Sequence, residues 1–143
     1  MPGPIALSLV VICEDARMEA NQKFSLMGVS NGKIEIPKLE NKEDGGQTSF
    51  PFSPFCIFAK FTPESEESPT ENLLVNMVCE KHDKEHFRSE LPLLSIKSEN
   101  SRVLLMKFPF HPGFHEGKFY YNWSPDNGKS WNLLATTECK YSR

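Results

Sequence analysis

Apolar residues recur at every second position along most of the chain, in short runs separated by polar segments, which is the signature of half-buried strands. Ile5, Leu7 and Leu9 alternate with Ala6, Ser8 and Val10 before the charged Cys13-Glu-Asp-Ala-Arg17, predicting a first strand that runs to about that segment. A polar turn follows at residues 19–22, and the alternation resumes in Lys23-Phe-Ser-Leu-Met-Gly-Val29 and again in Ile34-Glu-Ile36. Between these two runs lies Ser30-Asn31-Gly32-Lys33. Asn-Gly between alternating runs predicts a type I′ hairpin turn, because that turn needs positive φ at both central positions. The chain up to Ile36 therefore reads as a three-strand meander.

Pro37 closes the third strand, and residues 38–49, polar and containing Gly45-Gly46, read as a mobile loop. In the fourth strand, Phe55, Ile57, Ala59 and Phe61 share one face while Cys56, Phe58 and Lys60 share the other. Residues 62–72, rich in Glu, Ser and Pro, bury almost nothing and predict a solvated connection. Residues 73–79, 91–97 and 102–108 supply strands five to seven, separated by connections at 80–90 and 98–101. Helical periodicity is weak everywhere, and its best candidate is a short turn within residues 83–89. Last comes a hairpin: bulky rings alternate from Phe119 to Trp123, and Trp131, Leu133, Ala135 and Thr137 repeat the period after a turn. Together these signals predict an all-β, antiparallel β-sandwich of about eight or nine strands, immunoglobulin-like or similar, in a single domain over residues 1–143.

Length and charge narrow the functional classes. A chain of 143 residues is the size of one ordinary domain, and its eleven Phe are enough to build a core without staples. The formal net charge of -3, with no basic block, argues against nucleic acid, since phosphate binding needs clustered Lys and Arg. The apolar run from Ile5 to Cys13 is too short to span a bilayer, and no Lys or Arg precedes it. It reads as the first buried strand of a cytoplasmic protein, with Met1 as a true start and no membrane partner. Cys13, Cys56, Cys79 and Cys139 form no C-x-x-C pair, and lying within apolar strands they read as free, buried thiols.

The turn of the last hairpin has the spacing Ser124-x-Asp126-x-Gly128-x-Ser130-Trp131, which resembles the Asp-box of sialidases and many other β proteins. That resemblance implies a structural role: Asp126 accepts backbone N–H groups in the loop, Gly128 supplies positive φ, and Trp131 packs beneath. A sialidase needs several such repeats on propeller blades of about four strands each. One copy in this length makes the turn a folding device.

The four histidines fall in two pairs spaced i, i+4: His82 with His86, and His111 with His115. On a helix that spacing puts two imidazoles on one side, as a zinc site requires. Pro112 and Gly113 interrupt the second pair, and the first lacks a flanking helix, so exposed loop histidines are the simpler reading and no metal or cofactor is expected. No glycine-rich phosphate loop, G-x-S-x-G or H-E-x-x-H occurs, and thiols buried in strands are inert. An enzyme is therefore not expected.

Two Phe/Pro segments are better candidates for recognition, with Phe50, Phe52, Phe110 and Phe114 presenting rings from a backbone stiffened by proline. The plainer alternative is that these rings plug the ends of the core. Tyr120 and Asn122, against Asn132 and Leu134 on the outside of the last hairpin, offer a surface on which a sugar could stack.

Cys13-Glu-Asp-Ala-Arg17 followed by Lys23-Phe-Ser-Leu-Met-Gly28-Val29 resembles a family of small bacterial and phage-associated proteins known only as a domain of unknown function. Gly117-Lys-Phe-Tyr120 is similar to a late strand of the same family. The resemblance covers about the first third of the chain, implies an all-β domain, and brings no activity or ligand. The expectation is a non-enzymatic binding or interaction protein that engages a protein partner, or a second copy of itself, through loop ends or a strand edge. The alternative is a carbohydrate- or small-ligand-binding module, or a loop-histidine metal-binding protein.

Overall fold

The computed structural model describes residues 5–21, 23–37, 55–64, 71–80, 84–96, 100–108 and 117–142. Among them are ten strands and no helix: β1 (Ile5–Met18), β2 (Phe24–Ser30), β3 (Lys33–Pro37), β4 (Phe55–Pro63), β5 (Asn72–Cys79), β6 (Lys84–Pro92), β7 (Leu94–Ile96), β8 (Ser101–Phe108), β9 (Gly117–Ser124) and β10 (Asn132–Ser142). They form two five-stranded sheets, β2-β1-β4-β8-β7 and β3-β10-β9-β5-β6. All neighbours are antiparallel except β3, which runs parallel to β10. With β2 set aside, β1-β4-β8-β7 follows the A-B-E-D order of an immunoglobulin-like sandwich and β10-β9-β5-β6 follows G-F-C-C′. The expected fold class is therefore the observed one.

Ten strands replace the expected eight or nine chiefly because residues 84–90, read as part of a connection with a helical turn, belong to strand β6. That segment pairs with β5 from Asn72↔Pro92 to Cys79↔Lys84. Its charges, Glu85, Arg88 and Glu90, hid the period while suiting a sheet edge that faces water. The expected strand at 91–97 is divided: β6 ends at Pro92 in the second sheet, and β7 begins at Leu94 in the first.

The two sheets close on aromatic rings. Phe55 stacks on Phe108 at 4.7 Å, and both approach Tyr121 of the opposite sheet, at 6.1 and 5.8 Å. Farther along, Phe61 of β4 meets Trp123 of β9 edge-on at 5.1 Å. These are the two strands that a disulfide joins in antibody domains. Here all four cysteines are unbridged and buried, and ring contacts worth about 1 kcal/mol each beyond area burial hold the strands instead.

β-Bulges change which residues face this core. One extra residue flips every side chain after it to the other face. Between Leu7 and Leu9 the register of β1 shifts, so Ile5 and Leu7 point inward before the bulge and Val10 and Ile12 after it, leaving Leu9 48% exposed. A second shift between Leu133 and Ala135 buries Leu134 and turns Leu133 out, the reverse of the expected facing for both.

The expected hairpin at Asn31-Gly32 does not form. β2 pairs with β1 in the first sheet, whereas β3 crosses to the second and lies along β10. Gly32 has φ +87° but Asn31 is outside the positive-φ region, so the turn is not type I′. Two short side chains bend the chain instead: Ser30 Oγ accepts the Gly32 N–H at 3.1 Å, and Asn31 Oδ1 accepts the Lys33 N–H at 3.1 Å. The Gly32 carbonyl then accepts the Glu138 N–H at 2.8 Å, docking the crossing on β10.

A further layer was not expected. β1 is 14 residues long and serves two partners, pairing with β4 over Ile5 to Cys13 and with β2 over Ile12 to Met18. Past Cys13 the β1–β2 hairpin lies over the outer face of the first sheet. The Phe24 ring meets Phe58 of β4 edge-on at 5.0 Å, and Asp15 reaches Lys107 of β8 at 3.6 Å. Under this hairpin are two small apolar clusters, Cys13 with Ala16 and Cys56, and Phe58 with Ile96 and Val103. Consequently Phe55, Cys56, Ile57, Phe58 and Ala59 are all buried, on both faces of β4.

Gly32→Ala tests the crossing. A Cβ there would stand 2.6 Å from the Thr136 carbonyl oxygen, on a backbone that L-residues rarely adopt. Urea unfolding of this variant should show a loss of about 2 kcal/mol or more; an unchanged midpoint would mean that the crossing is loose.

Candidate interaction surfaces

The Ser124–Trp131 turn is built from interlocking hydrogen bonds. Ser124 Oγ accepts the N–H groups of Gly128 at 2.7 Å and Asp126 at 3.3 Å, and donates to Asp126 Oδ1 at 3.0 Å. Asp126 in turn accepts the Ser130 N–H at 2.7 Å and the Ser130 hydroxyl at 2.6 Å. Asn127 and Gly128 take positive φ, 59° and 94°. These donors, the Ser130 hydroxyl first, hold the Asp126 carboxyl below the usual aspartate range. Trp131 is half-buried, with the Arg88 guanidinium 5.2 Å from its ring centroid.

Beside the turn, the outer face of the second sheet carries a polar network. Asn76, 5% exposed, donates to Glu85 at 2.8 Å and accepts from Asn122 at 3.0 Å. Arg88 grips the same carboxylate with Nε at 3.1 Å and Nη2 at 3.0 Å. Those bonds, Arg88 first and Asn76 second, lower the Glu85 pKa. The central strands β5 and β9 are thereby tied to β6 by side chains as well as by backbone. Asn122 is committed to this network, and Leu134 faces the core, so the sugar platform expected from Tyr120, Asn122, Asn132 and Leu134 is not assembled as expected. Tyr120 itself is half-buried on the outer face, with Lys118 Nζ 5.8 Å from its ring centroid.

Of the other residues singled out in the sequence, Phe50, Phe52, Phe110 and Phe114 lie outside the described residues, as do His82, His111 and His115. His86 falls within β6, so the helical spacing suggested for His82 and His86 does not apply to it. Among the described residues, no group of three His, Cys, Asp or Glu side chains comes together as a metal site, and no helix is long and apolar enough to cross a membrane.

Residues that sequence reasoning passed over sit on the edge strand β2. Met27 and Val29 are 40% and 68% exposed, on a strand whose outer edge pairs with nothing among the described residues. Their signal was present in Phe24-Ser-Leu-Met-Gly-Val-Ser30, a run with neither charge nor proline. Where β2 and β3 part, a cleft of about 630 Å³ opens, lined by Ile12, Cys13, Glu14, Val29 and Lys33 among others. Gly28 takes φ +66°, a backbone conformation that L side chains rarely adopt, with the exposed Glu14 side chain lying over it. No protein-family model matches the chain, and a search of curated proteins finds no match either.

Two substitutions check this description. Asp126→Asn should lower stability at neutral pH and flatten its dependence on acid. The folded-state pKa is depressed, so the carboxylate's contribution is present above the unfolded value and disappears as pH falls through the folded one; parental and variant curves should converge once the pH is below the usual aspartate range and the carboxyl is protonated in both states. Asn76→Leu should cost about 1–2 kcal/mol in chemical denaturation, because Asn122 and Glu85 each lose a partner. A neutral result would show that water satisfies both groups equally well.

Proposed function

We propose that this chain is a non-enzymatic binding module that docks a protein partner by adding an extended segment of it to the free edge of β2. The observation that supports this reading is a contrast between edges. Sheets left open at an edge invite further pairing, and natural edges are blunted by charge, proline or shortness. β3 carries Lys33, Glu35 and Pro37; β6 carries Lys84, Glu85, Arg88, Glu90 and Pro92; β7 has only 3 residues. β2 has 7 residues and none of these guards.

Backbone pairing would supply affinity, and the exposed Met27 and Val29 would select apolar side chains at alternate positions of the incoming segment. The partner chemistry is thus an extended, weakly charged stretch of polypeptide, and a second copy of β2 meets the same description. Four buried, unbridged thiols suit a reducing cytoplasm. A bacterial or phage setting rests on the resemblance over residues 13–29, which is the hairpin that carries this edge. Sugar stacking is the weaker reading, since Tyr120 and Trp131 each already lie beside a cation.

Val29→Lys places a charge on the edge without entering the core. The parent chain should retain a partner, or self-associate in sedimentation, and Val29→Lys should reduce that association at least tenfold with an unaltered melting temperature. Leu133→Lys, on an exposed residue of the other sheet, is the control and should bind as the parent does. Equal binding by both variants would remove β2 as the docking edge.

A further inference from the structure

Cys13 of β1 and Cys56 of β4 are direct partners across the antiparallel ladder. Both are buried, at 1% and 2% exposure, and they pack in one small cluster with Ala16. Opposed residues on antiparallel strands have Cα atoms about 4.5 or 5.5 Å apart, according to the kind of pair. A disulfide accepts roughly 4.4–6.8 Å, so these backbones stand within bridging range already. The other two cysteines do not: Cys79 and Cys139 pair with Phe119 and Gly117 on opposite sides of β9, a whole strand apart. Cys13 is among the residues that line the cleft between β2 and β3.

We propose that Cys13 and Cys56 are a reversible redox pair that closes to a cross-strand disulfide in exchange with a small disulfide such as oxidised glutathione. The Cys13 thiol loses its proton to solvent, and its thiolate attacks one sulfur of the oxidant. That S–S bond breaks, and one small thiolate leaves and takes up a proton. Cys56, likewise deprotonated, then attacks the Cys13 sulfur of the mixed disulfide, expelling the second small thiolate, which is also protonated. Two protein thiols are oxidised and one small disulfide is reduced to two thiols.

Burial, first among the causes, pushes both thiols above their ordinary range, which makes exchange in the folded protein slow. The Cys56 thiol would give up the bond that it donates to the Glu14 carbonyl at 3.9 Å while reduced, and the bridge would lie where β1 leaves β4 to enter the hairpin. It would therefore fasten the root of the hairpin to the sheet beneath, and it would close a long loop of the unfolded chain.

The test is equilibrium, so burial must not set the rate. The full chain is unfolded and refolded in glutathione buffers of increasing oxidised fraction, alkylated, and mapped without reduction. Two of the four thiols should escape alkylation together, in one linked peptide pair holding Cys13 and Cys56, and dithiothreitol should restore them. The oxidised form should unfold at higher urea than the reduced form. A native incubation, followed over days, should give the same linkage more slowly. Cys13→Ala should leave its three remaining thiols alkylated throughout. Four free thiols at every ratio, separate glutathione adducts on Cys13 and Cys56, or equal linkage to Cys79 or Cys139 would each overturn the proposal.

Discussion

Everything in this architecture turns on β4 having no face for water. Its residues from Phe55 to Ala59 are buried in succession, so both the inner set, Phe55, Ile57, Ala59 and Phe61, and the outer set, Cys56 and Phe58, must be covered. The second sheet covers the first set, as in any sandwich. The β1–β2 hairpin covers the outer one. Burying a Phe or Val side chain stabilises by about 1.5–3 kcal/mol, so leaving Phe58 and Val103 open would forfeit several such increments and expose a contiguous apolar patch.

Charge then orients what apolar contact holds. Asp15, on the hairpin, receives Arg17 Nε at 3.2 Å and lies 3.6 Å from Lys107. Arg17, then the Ala16 N–H and Lys107, keep its carboxyl below the ordinary value. All three side chains are well exposed, and exposed pairs of this kind are worth about 0–1 kcal/mol, so they set the lie of the hairpin more than its stability. The same division holds on the other sheet, where the Asn76 network aligns β5, β6 and β9 above a core already closed by Phe61, Trp123 and Tyr121.

Period-two alternation carried the class of fold and most of its strands, because β4, β5, β8 and β9 each send alternate residues into the core between the sheets. It misled where one residue broke the count. Bulges in β1 and β10 exchanged the facings of Leu9 with Val10 and of Leu133 with Leu134, and nothing local announces such a slip. The Asn31-Gly32 hairpin signal was overridden by tertiary pairing: β10 offered β3 a parallel partner, while β2 already had β1. The strand β6 escaped because its charges suit an edge better than they suit a pattern. The covering hairpin had one legible sign, the apolar Cys56 and Phe58 on the face of β4 opposite the core set, but which segment covers them is a fact of three dimensions. For the proposed docking edge, the lack of charge in β2 was readable, whereas its place at an edge was not.

A function argued from an edge and from a covered face stands or falls with the hairpin's position. The most direct measurement is a double-mutant cycle between Phe24 and Phe58, which are far apart in sequence and in contact only if the hairpin lies over the sheet. Phe24→Ala and Phe58→Ala, singly and together, should show a coupling of about 0.5–1.5 kcal/mol in urea unfolding, as an edge-to-face pair gives. Strict additivity, with Phe58→Ala costing no more than a surface substitution, would contradict the account.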